Sequence, residues 1–75
     1  MKEIAPRIAV DEQIAAGKPV ILGTRVPVAL VVGKLAGGMS SVEVTEEYDL
    51  QPEDILAALS YAARVLEEEQ VGAVA

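Results

Sequence analysis

The chain has 75 residues, with 6 Lys and Arg against 12 Asp and Glu, and it contains no His, Cys, Trp or Phe. This length accommodates one small domain. Without His and Cys, the chain lacks the commonest general base, the thiol nucleophile and the usual transition-metal ligands. We therefore expect no self-contained enzyme site, no metal site and no cofactor.

Small side chains dominate the apolar part of the sequence. Apolar residues make up 52% of the chain, and most of them are Ala or Val. Such side chains bury little area each, and a domain of this size often needs a second copy to complete its core. We therefore expect a homodimer. The apolar surplus that suggests it lies between residues 20 and 35: Val20, Ile21, Leu22, Val26, Val28, Leu30, Val31, Val32 and Leu35.

Charge is divided unevenly along the chain. Residues 1–38 hold five bases and three acids, a net charge of +2, whereas residues 39–75 hold one base and nine acids, a net charge of −8. The overall charge of −6 disfavours non-specific binding to nucleic acid or to an anionic membrane. The longest purely apolar run, Val26 to Val32, is too short to span a bilayer, and the start of the chain does not resemble a signal peptide. We expect a cytoplasmic protein with no membrane partner.

The first third of the chain has the pattern of β-structure. Residues 4–10 form a strand pattern that Pro6 interrupts, which predicts an edge strand or a shorter strand over residues 7–10. Residues 11–17 form a turn, and residues 18–22 form a second β-rich run that Gly23 closes. The two runs predict a loose hairpin, which must pack on helices or on a partner chain to be stable.

Two short helices are predicted next. Pro27 suits the first helical position, Val28 and Val31 follow at helical spacing, and Gly37-Gly38 is expected to end this helix as a left-handed cap. Ser40 and Glu43 match a capping box, which starts a second helix running from Ser41 to about Tyr48. Its inward residues are expected to be Val44 and Tyr48, with Val42 at the entrance.

The third helix is predicted from Pro52 to roughly Gln70, and Gly72 is expected to end it. Glu53 and Asp54 occupy the first turn, where the helix dipole favours acids, and Leu50 can pack on Ile55 as a hydrophobic staple. We expect Leu59→Ala to unfold the domain. The expected buried stripe is Ile55, Leu59, Ala62, Ala63 and Leu66.

Three helices with a three-residue connection between the last two have the outline of a helix-turn-helix unit, although plain helix packing produces the same outline. Glu53 and Asp54 at the start of the third helix would repel DNA phosphates. If the domain touches DNA, the positive charge must come from elsewhere, and the candidate contacts are Arg25, Lys34, Ser41 and Arg64. We expect weak, salt-dependent DNA binding by the isolated protein.

The stretch GKPVILGTRVPV, residues 17–28, is the most unusual in the chain, and we call it the signature segment. Its Gly-Lys pair invites comparison with a phosphate-binding loop, but Lys18 precedes a proline and a strand instead of a helix. The structural interpretation is a strand that ends in a glycine turn, with Thr24 supplying a hydroxyl to the first N–H groups of the helix. Arg25 then either pairs with a carboxylate of its own or a neighbouring subunit or contacts a ligand.

The signature segment closely resembles the signature of the domain of unknown function 433 family. The match continues through later helices and covers roughly residues 7–65, although Ala16-Gly17 replaces the usual glycine pair and Gln51 replaces the usual Thr or Ser cap. The resemblance implies a mainly α, homeodomain-like three-helix domain over residues 27–71, preceded by a β arm or hairpin over 1–26 and followed by a frayed tail over 72–75. The family-motif residues are Gly17, Lys18, Pro19, Gly23, Thr24, Arg25 and Pro27.

The resemblance also implies a function. Family members look like VapB-like antitoxins, which are encoded beside toxins with a PIN-like ribonuclease domain. We therefore expect an antitoxin that neutralises such a toxin and represses its own operon by binding operator DNA. The acidic helix end Glu67-Glu68-Glu69 is the candidate toxin contact, although a solvated helix end is the simpler interpretation of this run. The alternative is a stand-alone, homeodomain-like DNA-binding regulator.

Overall fold

A computed structural model describes residues 1–69 of the chain. The fold is mainly helical, with a small antiparallel sheet at the N-terminus that precedes three helices. Within the described residues no helix is both long and apolar enough to cross a membrane. The elements are β1 (Lys2–Ala5), β2 (Ile8–Val10), a 3-10 turn (Ala15–Gly17), β3 (Val20–Ile21), α1 (Val28–Ala36), α2 (Ser41–Tyr48) and α3 (Pro52–Glu68).

The sheet contains one strand more than the sequence pattern predicted. The order is β1-β2-β3, and both pairs are antiparallel. Pro6 does not interrupt a strand; it lies with Arg7 in the tight turn between β1 and β2, whose ends pair through Ala5 and Ile8. Arg7 takes a left-handed backbone conformation with φ of 64°, which is uncommon for a residue with a Cβ.

The predicted hairpin is confirmed in β2 and β3, which pair through Ile8 with Ile21 and Ala9 with Val20. All four side chains are fully buried. Because Ile8 and Ile21 belong to the same buried cluster as residues of all three helices, the sheet packs directly onto the helices. This packing supplies the support that a small sheet needs in water.

The first helix begins one residue later than predicted. Pro27 is extended, with φ of −65° and ψ of 143°, so it caps α1 and Val28 is the first helical residue. At the other end, Gly37 is right-handed and Gly38 takes the positive φ of 105°. The Met39 N–H donates to the Lys34 carbonyl and the Gly38 N–H to the Leu35 carbonyl, which is the bonding pattern of a Schellman cap.

The capping box of the second helix is confirmed. The Ser40 hydroxyl accepts the Glu43 N–H at 3.1 Å, and the Glu43 carboxylate accepts the Ser40 N–H at 2.8 Å. The bond from the Ser40 N–H, together with the Ser40 hydroxyl, lowers the pKa of Glu43 below its ordinary value. Val44 is buried and Tyr48 half-buried as expected, but Val42 is exposed to solvent.

The third helix begins at Pro52 as predicted, but its predicted buried stripe is correct only in part. Ile55 and Ala58 are buried, whereas Ala63 and Leu66 are exposed and Leu59 is 43% exposed. The apolar arc of α3 is wider than the surface that α1, α2 and the sheet cover, so the residues at its outer edge face solvent. The helix ends at Glu68 and Glu69 is extended, so α3 is shorter than the predicted end near Gln70. The expected Gly72 stop and the frayed tail lie outside the described residues.

The buried core joins the sheet to every helix. Each member exposes less than a tenth of its surface, and Leu50 and Ile55 both belong to the cluster, as a hydrophobic staple across the start of α3 requires. Four of the residues that motivated the dimer, Val20, Ile21, Val28 and Val31, are hidden within one chain. The cluster is Ile8, Ile21, Val28, Val31, Val44, Leu50, Ile55 and Ala58.

Candidate functional site

Backbone bonds, not a ligand cradle, explain most of the signature segment. The Ile21 N–H donates to the Val26 carbonyl at 2.9 Å, and the Val28 N–H donates to the Pro19 carbonyl at 3.0 Å. These bonds fold the segment back on itself, so that the start of α1 is tied to β3. The glycines at its turns serve the same purpose, because Gly17 and Gly23 have φ of 80° and 82°.

Thr24 does not cap the helix as the sequence suggested. Its hydroxyl donates to the Ile21 carbonyl at 2.8 Å and accepts the Val26 N–H at 3.0 Å. Both partners lie in the loop, so the hydroxyl closes the turn between β3 and α1. A hydrogen bond between a hydroxyl side chain and the backbone of the residue two positions later commonly stabilises such a turn.

Arg25 is exposed, and within the described residues it contacts a backbone carbonyl. Its Nη2 lies 3.5 Å from the Gln13 carbonyl oxygen, across the connection between β2 and β3. No ion pair of Arg25 occurs among residues 1–69. Lys18, the other base of the signature segment, is also exposed. Both cations are therefore exposed to solvent, one before β3 and one after it.

An ion pair that the sequence analysis missed joins the sheet to α3. The Arg7 Nη1 lies 2.9 Å from the Asp54 Oδ1, and the Arg7 Nη2 lies 3.7 Å from the Glu53 Oε2. The other Asp54 oxygen accepts the Gln51 N–H at 2.8 Å, which gives α3 a cap despite the loss of Thr or Ser at position 51. Asp54 is buried, so the start of α3 presents only Glu53, not both acids, to a partner.

The four candidate DNA contacts come from four different segments. Arg25 lies in the loop before α1, Lys34 in the last turn of α1, Ser41 at the first position of α2, and Arg64 in the second half of α3. Arg64 lines a small depression beside Pro6 at the β1-β2 turn. No hydrogen bond or ion pair joins two of the four within residues 1–69, and their role stays a prediction.

Acidic side chains outnumber basic ones on the surface of α2 and α3. Glu43, Glu46 and Glu47 are exposed on α2, and Glu53 is exposed at the start of α3. The candidate toxin contacts follow at the other end: Glu67 and Glu68 close α3, Glu69 follows, and all three are exposed. Within residues 1–69 no group of three carboxylates is placed to hold a metal ion. These exposed acids give the surface of α2 and α3 a negative charge.

Two open apolar grooves flank α3. The α1–α3 groove has a volume of about 460 Å³ and lies between Val28, Val32, Tyr61, Val65 and Leu66. The α2–α3 groove is smaller, about 210 Å³, and sequence reasoning missed it because Val42 was placed at the helix entrance. Its lining is Ser41, Val42, Thr45, Pro52, Ile55 and Leu56.

Comparison with known families identifies the chain. A family model described as a protein of unknown function, DUF433, matches residues 8–62, which is more than two thirds of the chain. The chain belongs to the DUF433 family. The matched region of this DUF433 domain begins at Ile8, the first residue of β2, and includes the whole signature segment, α1, α2 and most of α3.

A solved structure supports the fold of this DUF433 domain. The crystal structure of Rv2018 from Mycobacterium tuberculosis is 33% identical and superposes with a TM-score of 0.64 over 69% of this chain. The superposed region is 24% of the Rv2018 chain, so this chain spans about a quarter of that protein. No curated protein matches the sequence.

Proposed function

We propose that this DUF433 domain is the antitoxin of a type II toxin-antitoxin pair, which binds and neutralises a PIN-like ribonuclease toxin without catalysis of its own. The observation that carries the proposal is the acidic surface of α2 and α3. Of the nine acids in residues 39–75, only Asp54 is buried, and it is paired with Arg7. The other eight are exposed.

The charge fits the chemistry of such a target. A ribonuclease binds RNA through a basic surface, because neutralising phosphates requires Lys and Arg. An acidic protein that covers this surface excludes the substrate, and complementary charge speeds its encounter with the enzyme. Glu67, Glu68 and Glu69 fit this role because they extend beyond the packed part of α3 and are exposed.

The association rate tests this assignment. Surface-resonance measurements would compare the wild-type chain with a variant in which Glu67, Glu68 and Glu69 are Lys, using the PIN-like protein encoded next to it. The reversal should slow association and weaken inhibition, while circular dichroism remains unchanged because these residues lie outside the core. Unchanged association would remove the helix end from the interface and point instead to residues 17–27.

We further propose that the domain is a homodimer and a homeodomain-like helix-turn-helix unit that binds operator DNA weakly by itself. The three-residue connection Asp49–Gln51, with Asp49 in a left-handed conformation, supports the helix-turn-helix geometry. Light scattering at low micromolar concentration should give about twice the 7.8 kDa chain mass. A monomer with full helical content would contradict the dimer.

The stand-alone regulator is the competing function. The candidate DNA contacts Lys34, Ser41 and Arg64 lie on the three helices. Glu53 and the exposed Leu56, however, occupy the start of α3, where a recognition helix would contact the edges of the DNA bases. Titration of labelled upstream DNA at about 0.15 M salt should give little shift for the isolated protein. Specific nanomolar binding without a partner would favour the regulator over the antitoxin.

A further inference from the structure

The outer surface shared by α2 and α3 combines exposed apolar side chains with an open groove. Val42 on α2 is 62% exposed and Leu56 on α3 is 68% exposed, and both line the α2–α3 groove together with Pro52. Large apolar side chains exposed side by side are unusual on a monomer and mark interaction surfaces. Leu59, one turn beyond Leu56, extends the apolar surface along α3.

Acidic side chains border this groove on both helices. Glu46 lies one turn after Val42 and therefore on the same side of α2, and it is exposed. Glu53 lies three residues before Leu56 on α3 and is exposed as well, and its carboxylate also lies 3.7 Å from the Arg7 guanidinium. The groove thus has an apolar floor, from Ile55 and Leu56, and a negative rim.

We infer that the α2–α3 groove docks a basic amphipathic helix of a partner protein. The apolar side of that helix packs on Val42 and Leu56, and its Lys and Arg side chains meet Glu46 and Glu53. This is the helix-in-groove mode of recognition, in which apolar anchors give affinity and flanking charges give orientation. The inference rests on the proposed function, in which the partner is the ribonuclease toxin.

The charges beside the groove favour a basic helix over the other partners that an apolar groove can bind. A second copy of the chain that docked the same face would bring Glu46 and Glu53 against like charges, and the chain carries −6 overall. DNA would place its phosphates against the same two acids. A basic helix instead turns both acids into favourable contacts.

The first experiment uses a defined probe. A synthetic 18-residue helix of Leu and Lys, with Leu on one face, is titrated into the 15N-labelled full chain, with a matched Leu and Glu helix as the control peptide. The Leu and Lys helix should shift the amide signals of Val42, Thr45, Leu56 and Leu59. Equal binding of the two peptides, or shifts confined to the α1–α3 groove, would overturn the inference.

Matched variants test the floor of the groove. Leu56→Ser should weaken binding of the Leu and Lys helix at least tenfold, whereas Leu66→Ser should leave it unchanged. Leu66 is 66% exposed on the same helix, so this control removes the same type of side chain at a similar exposure. Both variants should keep the wild-type circular dichroism spectrum because neither side chain is buried. Equal weakening by the two variants would overturn the inference, as would conversion of a dimer to a monomer by Leu56→Ser.

The rim has its own pair of variants. Glu46→Lys should weaken binding several-fold and reduce its salt dependence, whereas Glu47→Lys should have little effect. Glu47 is also exposed, but it is rotated by about 100° around α2 from Glu46, away from Val42. If both variants lost binding to the same extent, the effect would come from net charge alone. That result would contradict a specific role for Glu46 at the edge of the groove.

A binding experiment with the toxin distinguishes an incorrect docking groove from an incorrect proposed function. If the PIN-like protein encoded next to the chain binds the wild type and loses affinity for the Leu56→Ser variant, both proposals are supported. Binding that is unaffected by Leu56→Ser and by Glu46→Lys would overturn the groove while leaving the antitoxin proposal intact. Binding of the Leu and Lys helix without any binding of the PIN-like protein would support the groove and overturn the antitoxin proposal.

Discussion

Replacing Asp54 by Ala should lower the free energy of unfolding by about 2 to 3 kcal/mol. The buried carboxylate accepts two hydrogen bonds, from the Arg7 guanidinium at 2.9 Å and from the Gln51 N–H at 2.8 Å. Hydrogen bonds to charged groups contribute about 1.5 to 3 kcal/mol each. The lower end applies here because the Arg7 side chain is 45% exposed and solvent screens the pair.

Glu53→Ala is the matched control, since Glu53 precedes Asp54 on α3 and pairs with the same guanidinium. Its carboxylate lies 3.7 Å from Arg7 and is 60% exposed, so its loss should cost less than about 1 kcal/mol. In thermal unfolding, Asp54→Ala should lower Tm by about 10 °C or more, because about 1 kcal/mol shifts a domain of this size by about 4 to 8 °C. The control should shift Tm by only a few degrees.

A double-mutant cycle isolates the ion pair itself. Urea unfolding of Arg7→Ala, Asp54→Ala and the double variant should give a coupling free energy of about 1 kcal/mol, because residues that share a bond are not additive. The reasoning would be refuted if Asp54→Ala cost no more than Glu53→Ala. It would also be refuted if Arg7→Ala and Asp54→Ala added without coupling.

Three further predictions follow from burial, backbone conformation and capping. Ile55→Ala should cost about 2 to 5 kcal/mol, whereas Leu59→Ala should cost only about 1 kcal/mol in urea unfolding, because Leu59 is largely outside the core. Gly23→Ala should lose about 1 to 2 kcal/mol through its positive φ alone, since a Cβ there meets no neighbouring atom; an unchanged midpoint would contradict this. The lowered pKa of Glu43 means that its stabilising contribution is present at neutral pH and is lost as the pH falls through that pKa. In an NMR titration, the pKa of Glu43 should be higher in the Ser40→Ala variant than in the wild type. An unchanged pKa would exclude a role for the Ser40 hydroxyl.

Local signals in the sequence predicted the helices well. The Ser40 and Glu43 capping box, the proline start at position 52 and the glycine pair after α1 set boundaries within one residue of those observed. Each of these signals acts through hydrogen bonds or backbone angles within a few residues of itself. Their physical cause is therefore contained in the local sequence.

Features that depend on tertiary packing were not predictable in the same way. The ion pair of Arg7 and Asp54 joins residues that are 47 positions apart, so no local sequence pattern predicts it. The structure shows that Arg7 lies at positive φ in the turn after Pro6, and its guanidinium reaches the start of α3. Likewise, the apolar arc of α3 was visible, but which half of it the core covers depends on the position of α1 and the sheet.

The same limit applies to the candidate site. The resemblance of the signature segment identified the family before the fold was known, and the family match over residues 8–62 confirms it. In the tertiary structure, that segment mainly forms backbone hydrogen bonds. The exposed groove lies elsewhere, between α2 and α3. Surface grooves form where two elements meet, so they are absent from any single-element pattern.

A ribonuclease titration tests the central claim most directly. The PIN-like protein encoded beside this chain is assayed on a fluorogenic RNA with its divalent metal, while the chain is added in increasing amounts. If the DUF433 domain is an antitoxin, RNA cleavage should fall to background near one chain per nuclease, and raising the salt concentration should weaken the inhibition. Undiminished cleavage at a large excess of the chain would contradict the account.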